Sequence, residues 1–497
     1  MLGKFIKDMA KYSLSQLLPA LTSFITTPIL TRLFLPAEYG NWAMALSVSS
    51  FLVALTVSGL GSAVIRFYPA YKANSSLKTF FTTMSIFAGV ITVFIAGVGY
   101  LVIWLFRDKF PASLTDYLPL ILLIFIAQSI FTVYMAILRA QEKSGAFTTF
   151  QLLNNYGGLG VGLLLVIGFG FRVDGLLWGS LLALTFVLPV LVSLGSRGVD
   201  FRLEYFNFQD GLKMFEYAWP LTIGSVAMWG LRLSDLFIIN FFRSDHDVGL
   251  YTVSYNISAK SIELLVSLFL LSVSPLIMNT WVREGRSVTE ANLAMVTRVY
   301  LIVCLPATVG LSILAFPFVA LLTAPEYYEG YKIFGLVTTS SFIWGLANIA
   351  QMGMAIKKNT RRLGANQIMA AALHIILAII FVPRVGYVAA AVTTLLGYTV
   401  LLILHTLASR PHLTWHFPLK TLRNVIFASL GMGLVAHLVY GLSGNDGNGS
   451  PLFLLLSVLA SVPTYFALLW LFGEVKEKER AFALQVWNRV SGKKMEA

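Results

Sequence analysis

Long apolar stretches, separated by short clusters of proline, glycine and charged residues, recur along the whole chain. Each stretch is about 20 residues long, which is the length an α-helix needs to cross about 30 Å of hydrocarbon. The pattern predicts an all-α polytopic membrane protein with about 14 transmembrane helices. The predicted spans centre near Thr22, Phe51, Val90, Ile126, Val161, Thr185, Met228, Leu264, Thr308, Trp344, Leu373, Leu396, Leu430 and Val462.

The composition agrees with a membrane protein. Of the 497 residues, 57% are hydrophobic and 12% are charged, whereas a soluble domain carries about 25% charged residues. The mean hydropathy is +0.78. The N-terminal segment starts with basic residues, and its apolar part continues to Leu35 without a signal-peptide cleavage site, so we expect it to be a retained first helix.

The formal net charge of +13 comes mainly from the loops. Most of the 36 lysines and arginines lie in segments that are cytoplasmic if the N-terminus is inside, whereas the acidic residues show little bias. Loops rich in lysine and arginine stay on the cytoplasmic side of a membrane. The pattern therefore predicts that both termini are cytoplasmic, and it accounts for the charge without a nucleic-acid partner.

The sequence lacks the motifs of the common enzyme and metal-binding classes. Its single cysteine, Cys304, excludes a disulfide framework and a CxxC site. Walker, HExxH and nucleophile-elbow motifs are absent. Asp245-His246-Asp247 has the carboxylate spacing of a metal site in nucleotide-sugar transferases, but it lies in a predicted short outer loop. We therefore predict that the protein is not an enzyme and that it has no cofactor.

Short motifs at helix ends indicate an internal duplication. Residues 38–42, EYGNW, resemble residues 247–251, DVGLY, and two further motif pairs follow in the same order at nearly the same offset. An even number of predicted helices separates the copies, so both have the same orientation. Parallel repeats of transporters are related by an axis along the membrane normal. We expect two six-helix lobes with a cavity between them.

The same boundaries give a predicted domain organisation. The stretches from Phe201 to Glu216 and from Glu474 to Arg489 mix apolar and charged residues, which is typical of interfacial amphipathic helices. The predicted units are the N-lobe at 1–200, a cytoplasmic interfacial linker at 201–216, the C-lobe at 217–410, two further helices at 411–473 and a cytoplasmic amphipathic tail at 474–497.

Several helix-end motifs resemble one transporter family. They are Thr31-Arg32-Leu33 with Pro36 and Tyr39-Gly40, Asp235 followed by Val248-Gly249-Leu250-Tyr251, and Val382-Pro383-Arg384-Val385-Gly386 with Ala389-Ala390-Ala391. The sequence resembles the polysaccharide-transport family, which includes the O-antigen flippases of the multidrug/oligosaccharidyl-lipid/polysaccharide exporter superfamily. The resemblance implies export of an undecaprenyl-diphosphate-linked oligosaccharide across the bacterial cytoplasmic (inner) membrane by alternating access. It also implies a polysaccharide polymerase as a partner.

Four charged residues lie inside two neighbouring predicted spans, where each costs about 2.5–3.5 kcal/mol at a helix centre. Arg232 with Asp235, and Lys260 with Glu263, are each spaced i, i+3 and so share a helix face. Either they form two intrahelical salt bridges, or they line a transport cavity. In the second case, Arg232 and Lys260 would hold the diphosphate or an acidic sugar. Asp235 or Glu263 would then respond to a coupling ion, and the sequence leaves H⁺ and Na⁺ open.

Three further residues are weaker candidates. Arg32 lies near the outer end of the first span and either snorkels to the interface or, as the family resemblance implies, belongs to the N-lobe cavity. Arg66 lies at the inner end of the second span and either anchors that end or contacts phosphate. His374 lies in mid-span and could titrate, although a lone histidine there is more often a packing residue.

Two alternative functions remain open from the sequence. One is an exporter of the same superfamily with another cargo, either a drug or the lipid precursor of peptidoglycan, although Arg232 and Lys260 do not suit a cationic drug. The other is a membrane-embedded polysaccharide polymerase or ligase. Such enzymes carry catalytic residues in a large outer loop, whereas every predicted outer loop here is short.

Overall fold

The computed structural model describes residues 23–109, 112–357, 359–442 and 450–474. These residues form helices joined by short turns, and no strand occurs among them. The fold class is therefore all-α, as predicted. The α-helices are α1 (23–33), α2 (Pro36–Thr56), α3 (Ser58–Ala73), α4 (Leu77–Leu105), α5 (Ala112–Asp116), α6 (Leu118–Ala140), α7 (Ser144–Leu152), α8 (Gly158–Phe169), α9 (Val173–Gly195), α10 (Phe208–Phe242), α11 (Asp245–Ile313), α12 (Ala315–Leu322), α13 (Tyr331–Ala350), α14 (Met352–Ile356), α15 (Thr360–Val385), α16 (Tyr387–Ser409), α17 (Leu419–Gly441) and α18 (Pro451–Leu471).

Within the described residues, eleven helices are long and apolar enough to cross a membrane, or twelve if the bent pair α2 and α3 is one span. The longest, α11, has 69 residues, which correspond to about 100 Å of straight helix. Gly285 has φ 80° and ψ −167° and divides α11 into two arms, residues 245–284 and 286–313.

The predicted span centres from Phe51 onward all lie in described helices. The first centre, Thr22, the two chain termini and the predicted tail beyond Glu474 lie outside the described residues. The total of fourteen spans and the orientation of the termini therefore stay predictions.

Residues 201–216 differ from the expected interfacial helix. Leu203–Tyr205 form one 3-10 turn, and α10 begins at Phe208. The side chain of Asn207 accepts a hydrogen bond from the Asp210 N–H at 3.2 Å and so caps the helix. The helix then continues without interruption to Phe242. Residues 208–216 are therefore the first turns of a long apolar helix.

The two copies of the repeated motif lie against each other. A Cβ on Gly40 of α2 would overlap the carbonyl oxygen of Asp245, and a Cβ on Gly249 of α11 would overlap the carbonyl oxygen of Pro36. Each glycine thus contacts the residue four positions before the other glycine, as a two-fold axis between the helices requires. Backbones approach this closely where glycine replaces a larger residue. This glycine crossing supports the internal duplication.

A second contact joins the two repeats at the other end of α2. We call α1–α9 the N-lobe and α10–α16 the C-lobe. A Cβ on Gly59 of α3 would overlap the carbonyl oxygen of Ala218 of α10. Between the two contacts, Trp229 Nε1 donates to Ser50 Oγ at 3.0 Å. Because α2 is about 30 Å long, the two contacts between the lobes lie roughly that far apart, at opposite ends of this helix.

Glycines also bring α8 and α9 together within the N-lobe. A Cβ on Gly179 would overlap the backbone of Gly162, and one on Gly158 would lie 3.3 Å from Ser180 Cα. The glycine-rich run that begins at Gly157 thus permits a close approach of the two helices.

The last two helices pack against the second arm of α11. Val425 of α17 and Leu469 of α18 are buried in one apolar cluster with Tyr465. The Tyr465 hydroxyl donates to the carbonyl oxygen of Ile302 at 2.7 Å. The pair α17 and α18 therefore extends the C-lobe on the side of α11.

Candidate functional site

The four charged residues predicted within the membrane come from two helices of the C-lobe. Arg232 and Asp235 lie on α10, and Lys260 and Glu263 lie on the first arm of α11. The structure does not group these residues into the two i, i+3 pairs that the sequence spacing suggested. Three of them form a cationic site, and Asp235 lies in a separate buried cluster.

The cationic site consists of Arg232, Lys260 and Glu263. Arg232 Nη2 donates to Glu263 Oε1 across the helix interface, and Lys260 Nζ donates to Glu263 Oε2 at 3.2 Å. The side chains are 37%, 38% and 16% exposed, respectively. Two cations therefore share one carboxylate and remain accessible. The site has one positive charge in excess, which suits an anionic ligand.

Aromatic residues from two other helices border the cationic site. The Arg232 Cζ lies 5.3 Å from the centroid of the Trp344 ring on α13, an arrangement in which the ring face attracts the cation. Tyr398 of α16 and Tyr255 of α11 lie next to the same guanidinium. Arg232 is therefore bordered by aromatic side chains from α11, α13 and α16.

The buried cluster is centred on Asp235, whose side chain is 0% exposed. The Tyr251 hydroxyl and the Thr394 hydroxyl both donate to Asp235 Oδ2, at 2.5 Å and 2.7 Å. His374 Nε2 lies 3.3 Å from Asp235 Oδ1, and His374 is also 0% exposed. A carboxylate away from water requires such partners. Residues from α10, α11, α15 and α16 thus meet at one carboxyl group.

Close packing fixes the position of the histidine. A Cβ on Gly397 of α16 would lie 3.0 Å from the His374 Cβ. Ser234 Oγ lies 3.3 Å from His374 Nε2 and is a second polar neighbour of that nitrogen. The imidazole is therefore held against Asp235 rather than free to rotate away.

The two sites are connected through a pair of tyrosines. The rings of Tyr251 and Tyr255 are stacked, with centroids 5.7 Å apart and an interplanar angle of 25°. Tyr251 donates to Asp235, and Tyr255 lies beside Arg232. The buried cluster and the cationic site are therefore parts of one contiguous network.

The sequence spacing predicted the partners of these residues only in part. The intrahelical pair Lys260–Glu263 forms, but Arg232 turns to Glu263 on α11 instead of to Asp235 on its own helix. The sequence left open whether His374 titrates or only packs, and the structure places it fully buried against Asp235. His374 drew attention in the sequence because it is a polar residue in the middle of a predicted span, but the sequence did not indicate that Asp235 is its partner.

Arg32 and Arg66 have other surroundings. Arg32 Nη1 donates to the carbonyl oxygen of Pro28 at 2.7 Å within α1, and its side chain is exposed. Arg66 is exposed, and its Cζ lies 4.3 Å from the centroid of the Tyr217 ring on α10. The structure does not bring either arginine into the cationic site described above. Arg66 instead contributes a contact between the lobes.

The Asp245-His246-Asp247 segment has protein partners of its own. Asn240 Nδ2 donates to Asp245 Oδ1 at 2.5 Å, and Asp247 Oδ2 lies 3.9 Å from Arg243 Nε. Within the described parts of the chain, no group of three or more histidine, cysteine or acidic side chains is arranged to hold a metal ion.

An apolar cavity lies between the second arm of α11 and the pair α17 and α18. Its volume is about 660 Å³. Pro306, Gly310, Met432, Leu455 and Phe466 are among the residues that line it. Such a cavity suits a hydrocarbon chain rather than a polar ligand.

The many long apolar helices define a multi-pass membrane protein. A family described as "Polysaccharide biosynthesis protein" matches residues 29–332. The chain therefore belongs to this polysaccharide biosynthesis family, and the resemblance inferred from the helix-end motifs is confirmed.

Comparisons with individual proteins agree. A "Probable low-salt glycan biosynthesis flippase" of Haloferax volcanii is 19% identical over 73% of this chain and 75% of its own length. The structure of the lipid II flippase MurJ in an inward closed conformation matches with a TM-score of 0.74 and 16% identity, covering 92% of this chain and 98% of that chain.

An inward-facing multidrug resistance MATE transporter of the MOP superfamily is also similar. It matches with a TM-score of 0.59 and 15% identity, covering 81% of this chain and 93% of that chain. The chain thus has the fold of this transporter superfamily. The matched proteins are flippases and transporters, consistent with the prediction that the chain is not an enzyme.

Proposed function

We propose that this protein is a flippase that moves an undecaprenyl-diphosphate-linked oligosaccharide across a bacterial cytoplasmic membrane. The cargo would serve the synthesis of O-antigen, capsule or exopolysaccharide. The observation that carries this proposal is the cationic site, in which Arg232 and Lys260 share the single carboxylate of Glu263. Membership of the polysaccharide biosynthesis family supports a glycan as the cargo.

The diphosphate is the part of this cargo that the cationic site fits. Its negatively charged oxygens would compete with Glu263 for Arg232 and Lys260. An arginine fork binds two phosphate oxygens at once, and a lysine adds a point charge. Because the three side chains are partly exposed, the anion can reach them without unfolding the lobe.

The apolar cavity beside α17 and α18 fits the lipid tail. Gly310 and Pro306 leave space on one wall, and Leu455 and Phe466 form the other. Moving a CH₂ group of a polyprenyl chain from water into an apolar environment is favourable by about 0.8 kcal/mol of free energy. The tail would therefore stay in an apolar environment while the polar head crosses between the lobes.

Alternating access would use the two contacts between the lobes. In this proposal the glycine crossing of Gly40 and Gly249 would close one membrane face, and the contact of Gly59 with Ala218 would close the other. Opening one contact at a time would expose the cargo site to one side. Asp235 and Glu263 are the proposed ion-coupling residues, with H⁺ or Na⁺ as the ion.

An exporter of the peptidoglycan lipid precursor is a second candidate. The TM-score of 0.74 to a lipid II flippase favours it, and its cargo also carries a diphosphate and a polyprenyl tail. A drug exporter fits less well, since the excess positive charge at Arg232 and Lys260 repels a cationic drug.

Deletion of the gene followed by separate assays of surface glycan and of lipid-linked repeat units tests the proposal. We expect surface glycan to disappear and repeat units to accumulate on the inner leaflet. Arg232→Ala and Lys260→Ala should fail to restore the glycan, whereas Lys332→Ala, an exposed lysine paired with Glu329, should restore it.

The other outcomes of the deletion identify the alternatives. Accumulation of the peptidoglycan precursor would support the second candidate. Repeat units that reach the outer leaflet but are not polymerised would support a polymerase or ligase. In the proposed pathway a separate polysaccharide polymerase, the expected partner, joins the units after they have crossed.

A further inference from the structure

We infer that Asp235 and His374 form a proton-binding site whose occupancy is coupled to anion binding at Arg232 and Lys260. This inference rests on the proposed function and specifies its coupling ion. The geometry that carries it is the 3.3 Å approach of His374 Nε2 to Asp235 Oδ1, with both side chains 0% exposed.

The ligands available at Asp235 favour a proton over a metal cation. Oδ2 already accepts two hydroxyl hydrogens, from Tyr251 and Thr394. The neighbour of Oδ1 is an imidazole nitrogen, whereas hard cations prefer carboxylate, carbonyl and water oxygens. Histidine changes its charge between about pH 5 and 8. The cluster therefore has a group that can gain and lose a proton under physiological conditions.

The charged and titratable groups around the pair belong to three helix segments. From α10 comes Arg232, one turn before Asp235. The first arm of α11 contributes Tyr251 and Tyr255, and α16 contributes Tyr398, each of which interacts with Asp235. Glu263, on the same arm of α11, interacts with Arg232. Among these, Tyr251 contacts Asp235 directly, and Tyr255 connects it to the cationic site.

Charge balance gives the direction of the coupling. Arg232, Lys260, Glu263 and Asp235 together carry no net charge when His374 is neutral, and they carry one positive charge when His374 is protonated. In a medium of low dielectric constant, this charge acts strongly on an anion nearby. A proton on His374 therefore favours anion binding, and by linkage the anion favours the proton.

Titration calorimetry of the full chain in nanodiscs tests this coupling. The titrated ligand is farnesyl diphosphate, a soluble isoprenoid diphosphate. Binding is measured in two buffers of different ionisation enthalpy. For wild type, we expect a binding heat that depends on the buffer, because a proton is taken up, and an affinity that rises as the pH falls. His374→Gln should bind with a heat that is independent of the buffer.

One variant serves as the control. His405→Gln replaces a second buried histidine of the C-lobe, whose Nδ1 lies 3.1 Å from the carbonyl oxygen of Ala347. It should retain the buffer dependence. Equal proton uptake in His374→Gln, or its loss in His405→Gln, would contradict the inference.

Solid-state NMR of ¹⁵N-histidine-labelled protein in lipid tests the proton site without a ligand. The His374 signal is assigned by its loss in His374→Gln. An imidazole that titrates between about pH 5 and 8 supports the inference, and one that stays neutral there overturns it. Thermal stabilisation by Na⁺ in wild type but not in Asp235→Asn would also overturn it, in favour of a sodium site. Failure of wild type to bind farnesyl diphosphate would count against the proposed cargo site alone.

Discussion

Gly40 and Gly249 occupy equivalent positions in the two repeats, and each lies against the backbone of the other's helix. The contact is reciprocal, since Gly40 meets Asp245 and Gly249 meets Pro36. Next to it, the Tyr327 hydroxyl donates to the carbonyl oxygen of Phe34 at 2.8 Å. The duplication of the chain has thus placed the same motif on both sides of one contact between the lobes.

Gly249→Ala should weaken this glycine crossing. The new Cβ would overlap the Pro36 carbonyl oxygen, which is backbone and cannot move aside like a flexible side chain. We expect a loss of about 1–3 kcal/mol of unfolding free energy, measured by thermal unfolding in nanodiscs. Gly160→Ala on α8 is the matched control, because a Cβ there meets no atom within 4 Å. Equal stability of the two variants would contradict the close approach.

Removing the cations of the cationic site should weaken anion binding, whereas removing its carboxylate should strengthen it. Arg232→Ala and Lys260→Ala each remove a charged hydrogen-bond donor worth about 1.5–3 kcal/mol, so the affinity for farnesyl diphosphate should fall by roughly 10- to 100-fold. Glu263→Gln removes the competing carboxylate and should raise the affinity. Calorimetry on protein that is monodisperse in size-exclusion chromatography measures all three. Weaker binding by Glu263→Gln would show that the carboxylate does not compete with the ligand.

Filling the apolar cavity should weaken binding of the lipid tail and leave binding of the head group unchanged. Ala307 lines the cavity next to Pro306, so Ala307→Trp would occupy space that the tail requires. We expect weaker binding of undecaprenyl phosphate and unchanged binding of inorganic diphosphate. The matched control is Ala372→Trp, which adds the same ring at an exposed position of α15 and should leave both ligands bound. Loss of both ligands in Ala307→Trp would mean that the cavity is not a separate tail site.

The stability of the C-lobe should depend on pH through Glu474, which follows α18. Arg298 Nε, the Thr421 hydroxyl and Asn424 Nδ2 donate to its carboxylate at 2.9, 2.6 and 3.1 Å. Burial raises the pKa of this carboxyl, but the hydrogen bonds outweigh burial and hold the pKa below its ordinary value of 4.5. A carboxyl with a depressed pKa stabilises the folded state above the unfolded pKa.

This stabilisation should disappear as the pH falls below 4.5 and through the folded pKa of Glu474. Glu474→Gln should be less stable than wild type at neutral pH, because Arg298 loses its charged partner. The thermal unfolding curves of the two proteins should converge in acid. A constant difference between them at every pH would contradict the assigned shift.

The helices could be predicted from the sequence because span length and hydropathy are local properties. The relation between the two glycines of the crossing could also be expected, since the motifs around Gly40 and Gly249 recur. The start of α10 could not be predicted, because the charged residues in its first turns are not typical of a membrane-spanning helix, although the helix continues to Phe242. Helix-face spacing likewise shows which residues point the same way but does not identify the neighbouring helix.

The partners of Arg232 and Asp235 illustrate this limit. Both share a face of α10, yet one pairs with Glu263 of α11 and the other with His374 of α15. Which helices flank α10 depends on packing between segments far apart in the chain. The residue types of the proposed anion and proton sites could thus be predicted from the sequence, but the contacts that bring these residues together required the structure.

Reconstitution tests the proposed function most directly. Purified full-length protein is placed in liposomes with a fluorescent undecaprenyl-diphosphate oligosaccharide, and a lectin that cannot cross the membrane reports which leaflet holds the sugar. We predict that wild type and Lys332→Ala move the sugar between leaflets, and that Arg232→Ala and Lys260→Ala do so at least about tenfold more slowly, given the loss of a charged contact. If the sugar moves between leaflets at the same rate with wild type, with either cation variant and without any protein, the account is contradicted.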